Sequence, residues 1–244
     1  MTRTVVFLHG GVTGGWMWRS QIDVLSDRPT FAPDLPGYLS RRREPWSSFD
    51  SMSDRLAAMI AAQTDEPVDL VGLSMGGIAA LHVAARHPAL VASAFVTGVS
   101  VLPYTPAMRL GNRASLALWN TRFLWEGMAR AMGLEDEARA EFVSRSPALS
   151  RRSALEQLRE VQPGHVTGLE QIEAPVLALA GERETRYFHR SLKAIAAEVP
   201  DVRVGLAPGM HHGWSGEDPD LFNRVLRAWL DERRLHPDLL PLPD

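Results

Sequence analysis

The sequence predicts an α/β fold, a mostly parallel, doubly wound sheet with helices on both faces and a helical block inserted part-way. Three observations predict it. Short apolar runs alternate with amphipathic stretches up to residue 102, and the alternation breaks at Pro103 and resumes after Gly168. The apolar run Val68–Leu73 passes at once into Ser74-Met75-Gly76-Gly77 and a helix-forming run, so a strand turns sharply into a helix at a serine.

The elements follow in order. Val5-Val6-Phe7-Leu8 is a short run suited to a strand buried on both faces, stopping at His9-Gly10-Gly11. Trp18, Ile22 and Leu25 share one helical face. Thr30-Phe31-Ala32 is a poor strand cut by Pro33, and Asp34-Leu35-Pro36-Gly37 is turn chemistry. Ser51 to Thr64 reads as a helix capped by Ser53. Val68–Leu73, the serine turn and a helix ending at His87-Pro88 come next, then a strand from Ala92 to Val99. Between Pro103 and Gly168 the spacing predicts only helices, near Arg109–Trp125, Trp125–Met132, Glu135–Ser144 and Arg151–Val161. Strands at Pro175–Ala180 and Val202–Leu206 enclose a helix at Ser191–Val199. A final amphipathic helix runs from Pro219 to Arg234, with Asp218 and Asp220 at its start. Residues 235–244 read as a loosely held Pro/Leu tail. The expected organisation is a core made of residues 1–102 and 169–244, with residues 103–168 as a helical lid folded onto it.

Composition narrows the function classes. Hydrophobic residues make up 45% and charged residues 23%, which is ordinary for a globular protein. The net charge is -3, and the tightest basic cluster, Arg41-Arg42-Arg43, runs into Glu44, so no nucleic-acid partner is expected. The absence of cysteine removes disulfides, a thiol nucleophile and thiolate metal sites. No run approaches the ~20 apolar residues of a membrane span. Met1-Thr2-Arg3-Thr4 enters the first strand without a signal-peptide pattern, so a cytoplasmic protein without a membrane partner is expected. No oligomeric state is legible.

The serine turn carries the chemistry. Gly72 and Gly76 leave room for a tight crossing of strand and helix, which pushes the Ser74 hydroxyl out at the top of the sheet. A serine needs a base within reach, a carboxylate to orient that base, and N–H donors for the oxyanion. The base is sought in Met210-His211-His212-Gly213-Trp214, between the last strand and the last helix. Spacing from Pro208-Gly209 favours His212 over His211. The carboxylate is sought after Pro175–Ala180, where Glu184 is the first choice and Glu182 the alternative. The donors are sought at the N–H of Met75 and, in the glycine loop after the first strand, of Gly11. His82 and His87 read as packed or surface residues, and His165, His189 and His236 as surface or lid residues. No metal site is expected from adjacent loop histidines without carboxylates at suitable spacing. Gly10-Gly11-Val12-Thr13-Gly14-Gly15 lacks the dinucleotide register, and no cofactor is implied.

With these motifs placed, the chain resembles the α/β-hydrolase family along nearly its whole length. The matching segments are Leu8-His9-Gly10-Gly11, Pro33-Asp34-Leu35-Pro36-Gly37, Gly72-Leu73-Ser74-Met75-Gly76-Gly77, Gly181-Glu182-Arg183-Glu184 and Pro208-Gly209-Met210-His211-His212-Gly213. The resemblance implies the α/β-hydrolase fold with an inserted lid and a Ser74–Glu184–His212 triad. It also implies Gly11 and Met75 as oxyanion donors and His9 as a support of the oxyanion loop. The chain departs from the family pattern in carrying Glu184 where aspartate is commoner and His211 where glycine is usual. It also lacks the glycine often found after Tyr38. A serine at the elbow argues against the dehalogenase and epoxide-hydrolase branches, which use aspartate. The expected activity is hydrolysis of a small or medium carboxylic ester or lactone through an acyl-enzyme. The rivals are a carbon–carbon hydrolase or lyase on the same triad and a non-catalytic receptor. The lid is rich in apolar residues (Met108, Leu116, Trp119, Phe123, Trp125, Met128 and Phe142), most of them expected to pack it on the body. Gly10, Trp16, Trp119, Phe123, Trp125 and His211 are the candidates for the substrate pocket.

Overall fold

Alternate side chains along the buried strands enter two separate apolar clusters, which assign the helices to two faces of one sheet. The computed structural model describes residues 2–164 and 166–243. Its strands are β1 (Val5–Leu8), β2 (Thr30–Phe31), β3 (Val68–Leu73), β4 (Val91–Thr97), β5 (Val176–Gly181) and β6 (Val202–Ala207), in the order β2-β1-β3-β4-β5-β6. Each adjacent pair is parallel. Val5 and Phe7 of β1, with Val71 and Leu73 of β3, pack against Trp18, Phe222 and Trp229 on one face. Val6 and Leu8, with Val68 and Leu70, pack on the other against Met52, Leu56, Ile78 and Leu81. The period of two thus places α1 (Arg19–Val24), α9 (Trp214–Glu217) and α10 (Pro219–Glu232) on one side. The helices α2 (Phe49–Ala61), α3 (Met75–Arg86) and α8 (Arg186–Glu198) lie on the other. Burying a large apolar side chain such as Phe222 or Trp229 contributes about 1.5–3 kcal/mol at most.

The chain moves outward from β1 to β2 and then crosses back to β3 on the other side of β1. This is the topological switch point, where the carboxyl ends of β1 and β3 leave a crevice. The glycine loop after β1 and Ser74 after β3 both lie at that end.

Between β4 and β5 the chain forms α4 (Pro106–Ala117), α5 (Arg122–Ala131), α6 (Asp136–Arg145) and α7 (Arg151–Val161). Its two ends are fastened together. Tyr104 N–H donates to the Gln162 carbonyl at 2.9 Å, and Gly164 at φ +69° lies so close to Leu102 that a Cβ would fall 1.9 Å from its carbonyl carbon.

Several boundaries differ from the sequence expectation for local reasons. The helix expected over Arg109–Trp125 is two, because Thr121 caps α5 by accepting from Leu124 N–H. Ser48, not Ser53, caps α2 by accepting from Ser51 N–H, while Ser53 turns back to the Asp50 carbonyl inside the helix. The helix α8 starts at Arg186, five residues before the expected Ser191. Asp218 caps α10 through Leu221 N–H, as anticipated. The C-terminal tail is not loose, since Leu239 is buried and Leu240 exchanges two 2.9 Å backbone hydrogen bonds with Leu206. His165 lies outside the described residues.

Candidate active site

Ser74 sits at φ +54°, ψ -116°, a backbone conformation that costs a non-glycine residue about 1–3 kcal/mol. Its neighbours hold it there. Ser74 N–H donates to Thr97 O at 2.8 Å, and its carbonyl accepts from Ile78 N–H at 3.0 Å. A Cβ on Gly76 would lie 2.0 Å from the Leu8 carbonyl oxygen, and one on Gly72 2.4 Å from the Gly76 oxygen. No other residue fits either position without parting β1, β3 and α3. The serine thus stands alone at the amino end of α3, whose dipole favours negative charge there.

The turn after β5 brings a carboxylate to the histidine loop. Glu184 Oε2 accepts from Gly181 N–H at 2.8 Å, and Oε1 lies 2.5 Å from His212 Nδ1. The Glu184 side chain is 2% exposed. Glu182 faces outward and takes the N–H of Gly209 instead. The two histidines diverge as well. His211 turns to Glu217, which accepts from both its Nδ1 and its N–H at 2.7 Å. With Nδ1 committed to Glu184, His212 has Nε2 left for chemistry. Its ring rests against Phe188 at 5.1 Å and over Gly98 (φ +61°), where a Cβ would come within 2.7 Å of the imidazole. Burial pulls the His212 pKa down, but the charge and hydrogen bond of Glu184 outweigh it and leave it above the ordinary 6.5.

The loop after β1 is braced from below. His9 is fully buried, with Nδ1 2.9 Å from the Gly10 carbonyl and Nε2 accepting from Leu35 N–H at 2.9 Å. Burial pushes its pKa down to about 4, against smaller pulls from Gly10 and Asp34. The ring is therefore neutral at pH 7, with its Nδ1 proton given to the Gly10 carbonyl and its Nε2 lone pair taken by Leu35 N–H. Asp34 ties the neighbouring turns together through Gly15 N–H at 3.0 Å and Ser40 Oγ at 2.6 Å. The result places Gly11 beside Met75, since a Cβ on Gly11 would stand 3.7 Å from Met75 Cβ. Among the described residues neither the Gly11 nor the Met75 N–H has an acceptor.

Gly10, Gly11, Ser74, Met75 and His212 open into one cavity of about 530 Å³. Met108, Leu116, Trp119, Met128 and Leu158 of the insertion form much of its wall, and among the described residues no Lys, Arg, Asp or Glu lines it. Of the six pocket candidates, Gly10 and Trp119 are on this wall and four are elsewhere. Phe123 is 77% exposed, because on α5 it lies beside Leu124 and Trp125, which point inward. Trp125 is in the core of the insertion, donating to the Trp119 carbonyl at 3.0 Å. Trp16 lies under the Arg145 guanidinium in a separate hollow, and His211 is held by Glu217.

The sequence profile described as "Alpha/beta hydrolase family" matches residues 5–225. The chain belongs to the alpha/beta hydrolase family. Among its relatives in that family is RutD of Pantoea ananatis, provisionally named a carbamate hydrolase, 27% identical over 98% of this chain and 92% of that protein. The 2-succinyl-6-hydroxy-2,4-cyclohexadiene-1-carboxylate synthase of Pectobacterium atrosepticum is 25% identical over 93% of each chain. A shorter stretch is 38% identical to a mycobacterial lipase, spanning 34% of that protein's length. Among solved structures of the fold, the enol-lactonase of Burkholderia xenovorans LB400 superposes with a TM-score of 0.80 at 15% identity, over 95% of this chain and 92% of that one.

Sequence reasoning passed over several residues that shape this alpha/beta hydrolase site. Gly98 lies beyond β4, where its role as the floor beneath His212 has no local signature. Phe188 was hidden by the late start expected for α8, and His189, expected at the surface or in the lid, reaches the Gly181 carbonyl through Nε2 at 3.1 Å. Tyr38 did carry a signal, directly after Pro36-Gly37 in the second motif.

Proposed function

We propose that this protein is a serine hydrolase of small or medium, uncharged carboxylic esters or lactones. The observation that carries the reading is the Glu184–His212 pair, 2.5 Å apart, opening on the same cavity as a serine held at positive φ. His212 Nε2 takes the proton of Ser74 Oγ as the oxygen attacks the substrate carbonyl. The oxyanion receives the N–H groups of Gly11 and Met75. As the tetrahedral intermediate collapses, His212 returns the proton to the departing alkoxide, leaving an acyl group on Ser74. A water molecule, deprotonated by His212, then adds to the acyl carbonyl and frees the acid and the serine. Glu184 keeps the Nδ1 proton in place and stabilises the imidazolium in both halves. Residues 103–168 act as a lid that supplies the apolar wall, over a core of residues 1–102 and 169–244.

The hydrolase and enol-lactonase relatives support ester or lactone cleavage. The synthase relative supports a second reading, a carbon–carbon or lyase-type reaction in which the same triad moves a proton. The cavity favours the first, because among the described residues no Lys or Arg lines it to meet the carboxylate in that protein's product name. Small-molecule chemistry also fits the net charge of -3. No helix among the described residues is long and apolar enough to cross a membrane. The test is turnover of p-nitrophenyl esters from acetyl to dodecanoyl by the wild type and by Ser74→Ala. Hydrolysis that disappears in a folded variant supports the reading; retained turnover removes it.

A further inference from the structure

We propose that the helical insertion sets the geometry of the oxyanion loop, with Tyr38 and Ser146 as its positioning residues. The proposal rests on the reading of Gly11 and Met75 as oxyanion donors. Two successive carbonyls of that loop are held, one directly by the insertion and one by Tyr38, which in turn contacts the insertion. Ser146, 1% exposed in the turn between α6 and α7, donates to Val12 O at 2.8 Å. The Tyr38 hydroxyl lies 2.6 Å from Gly11 O and 2.5 Å from the side-chain amide of Gln157 on α7.

Tyr38 has one proton for these two neighbours. If Gln157 offers its oxygen, the tyrosine faces two acceptors, and the Gln157 nitrogen is buried with no partner. Turning the amide over lets its N–H donate to Tyr38 Oη, and the Tyr38 proton then goes to Gly11 O. That order satisfies the amide nitrogen, the phenol and the loop carbonyl, and leaves the amide oxygen in the place the nitrogen held. Burial keeps the phenol protonated, pushing its pKa far above the usual 10 against the smaller effect of Gln157. The tyrosine ring also packs edge-on against His9, with centroids 4.7 Å apart, and its hydroxyl reaches Met75 Sδ at 3.6 Å. It therefore touches both proposed donor residues and the histidine beneath them.

The insertion reaches the base side too, where Met132 O accepts from Gly213 N–H at 3.2 Å. Because Gln157 also lines the cavity, a substrate that shifts α7 shifts the loop that must stabilise its oxyanion. The lid is in this way a strut of the reaction centre as well as a cover.

Tyr38→Phe and Ser146→Ala test this, because neither residue lines the cavity. Each is expected to lower kcat about tenfold, less than the 10²–10³ lost with an oxyanion donor itself, while KM stays within about twofold. Affinity for a trifluoromethyl ketone, which forms a tetrahedral adduct with the serine, should fall in the same ratio as kcat/KM. Assays run well below each variant's melting temperature separate this from loss of fold. Unchanged kcat and ketone affinity, or a rise in KM alone, overturns the proposal while leaving a working wild-type hydrolase. A wild type inert toward esters overturns the hydrolase reading and this proposal with it.

Discussion

Glu184 and His212 are locked from both sides: one carboxylate oxygen sits 2.5 Å from the imidazole Nδ1 while the other accepts the Gly181 N–H at 2.8 Å. The carboxylate is therefore fixed to the end of β5 as well as to the imidazole, and the longer glutamate side chain is accommodated by folding back on its own turn.

Glu184→Gln keeps the shape and removes the charge. An amide in this place permits the wrong histidine tautomer, and kcat should fall by about 10³–10⁴. The pH profile adds a second readout. The neutral imidazole is the active form, so kcat/KM rises with pH through the His212 pKa, which lies above 6.5 in the wild type. Without Glu184 the burial that lowers this pKa acts unopposed, so the midpoint of the variant's profile should move to lower pH.

Gly98→Ala separates site geometry from stability. The new methyl would stand 2.7 Å from His212 Cε1, and alanine at φ +61° costs about 1 kcal/mol. The expected result is a loss of about 10² in kcat with a small drop in melting temperature. Equal activity to wild type would mean that His212 does not act from this position.

A cavity without lysine or arginine should discriminate by charge. Adding a carboxylate to the acyl chain of a good ester substrate should lower kcat/KM by at least about tenfold, or 1.4 kcal/mol. Paired assays of an ω-carboxylate ester and its methyl ester measure this directly. A preference for the acid would point instead to the synthase-like reading.

His9 makes the fold acid-sensitive. Unfolded, it binds a proton near pH 6.5; folded, only near pH 4. Between these values the unfolded chain carries the extra proton, so stability falls as pH falls, by about 3 kcal/mol at pH 4 from this residue. Urea unfolding of wild type and His9→Gln at pH 7 and pH 4.5 should show a shallower acid limb in the variant.

The sheet was legible wherever a strand is buried on both faces. Val68–Leu73 reads as one apolar block, and its ends coincide with β3. The serine turn was legible because Gly72 and Gly76 are required by backbone contacts close to the serine. Helix starts were less legible, as at α2, where Ser48 and Ser53 are equally good caps by residue type. Two of the four pocket candidates that lie away from the cavity wall, Phe123 and Trp125, share one cause. Composition marks the insertion as apolar, yet which face of α5 meets the body depends on how the helices pack, and Phe123 and Trp125 are only two residues apart. The Tyr38–Gln157 contact joins residues 119 positions apart, a distance over which single-sequence patterns carry no signal.

The proposed mechanism requires Ser74 to be an activated nucleophile. Incubation of the wild-type protein with a fluorophosphonate, followed by intact-mass and peptide mass spectrometry, detects such a serine. One adduct per chain is expected on the Ser74 peptide, absent in Ser74→Ala and much slower to form in Glu184→Gln. No adduct, or an adduct on another residue that persists in Ser74→Ala, would mean that Ser74 is not the nucleophile.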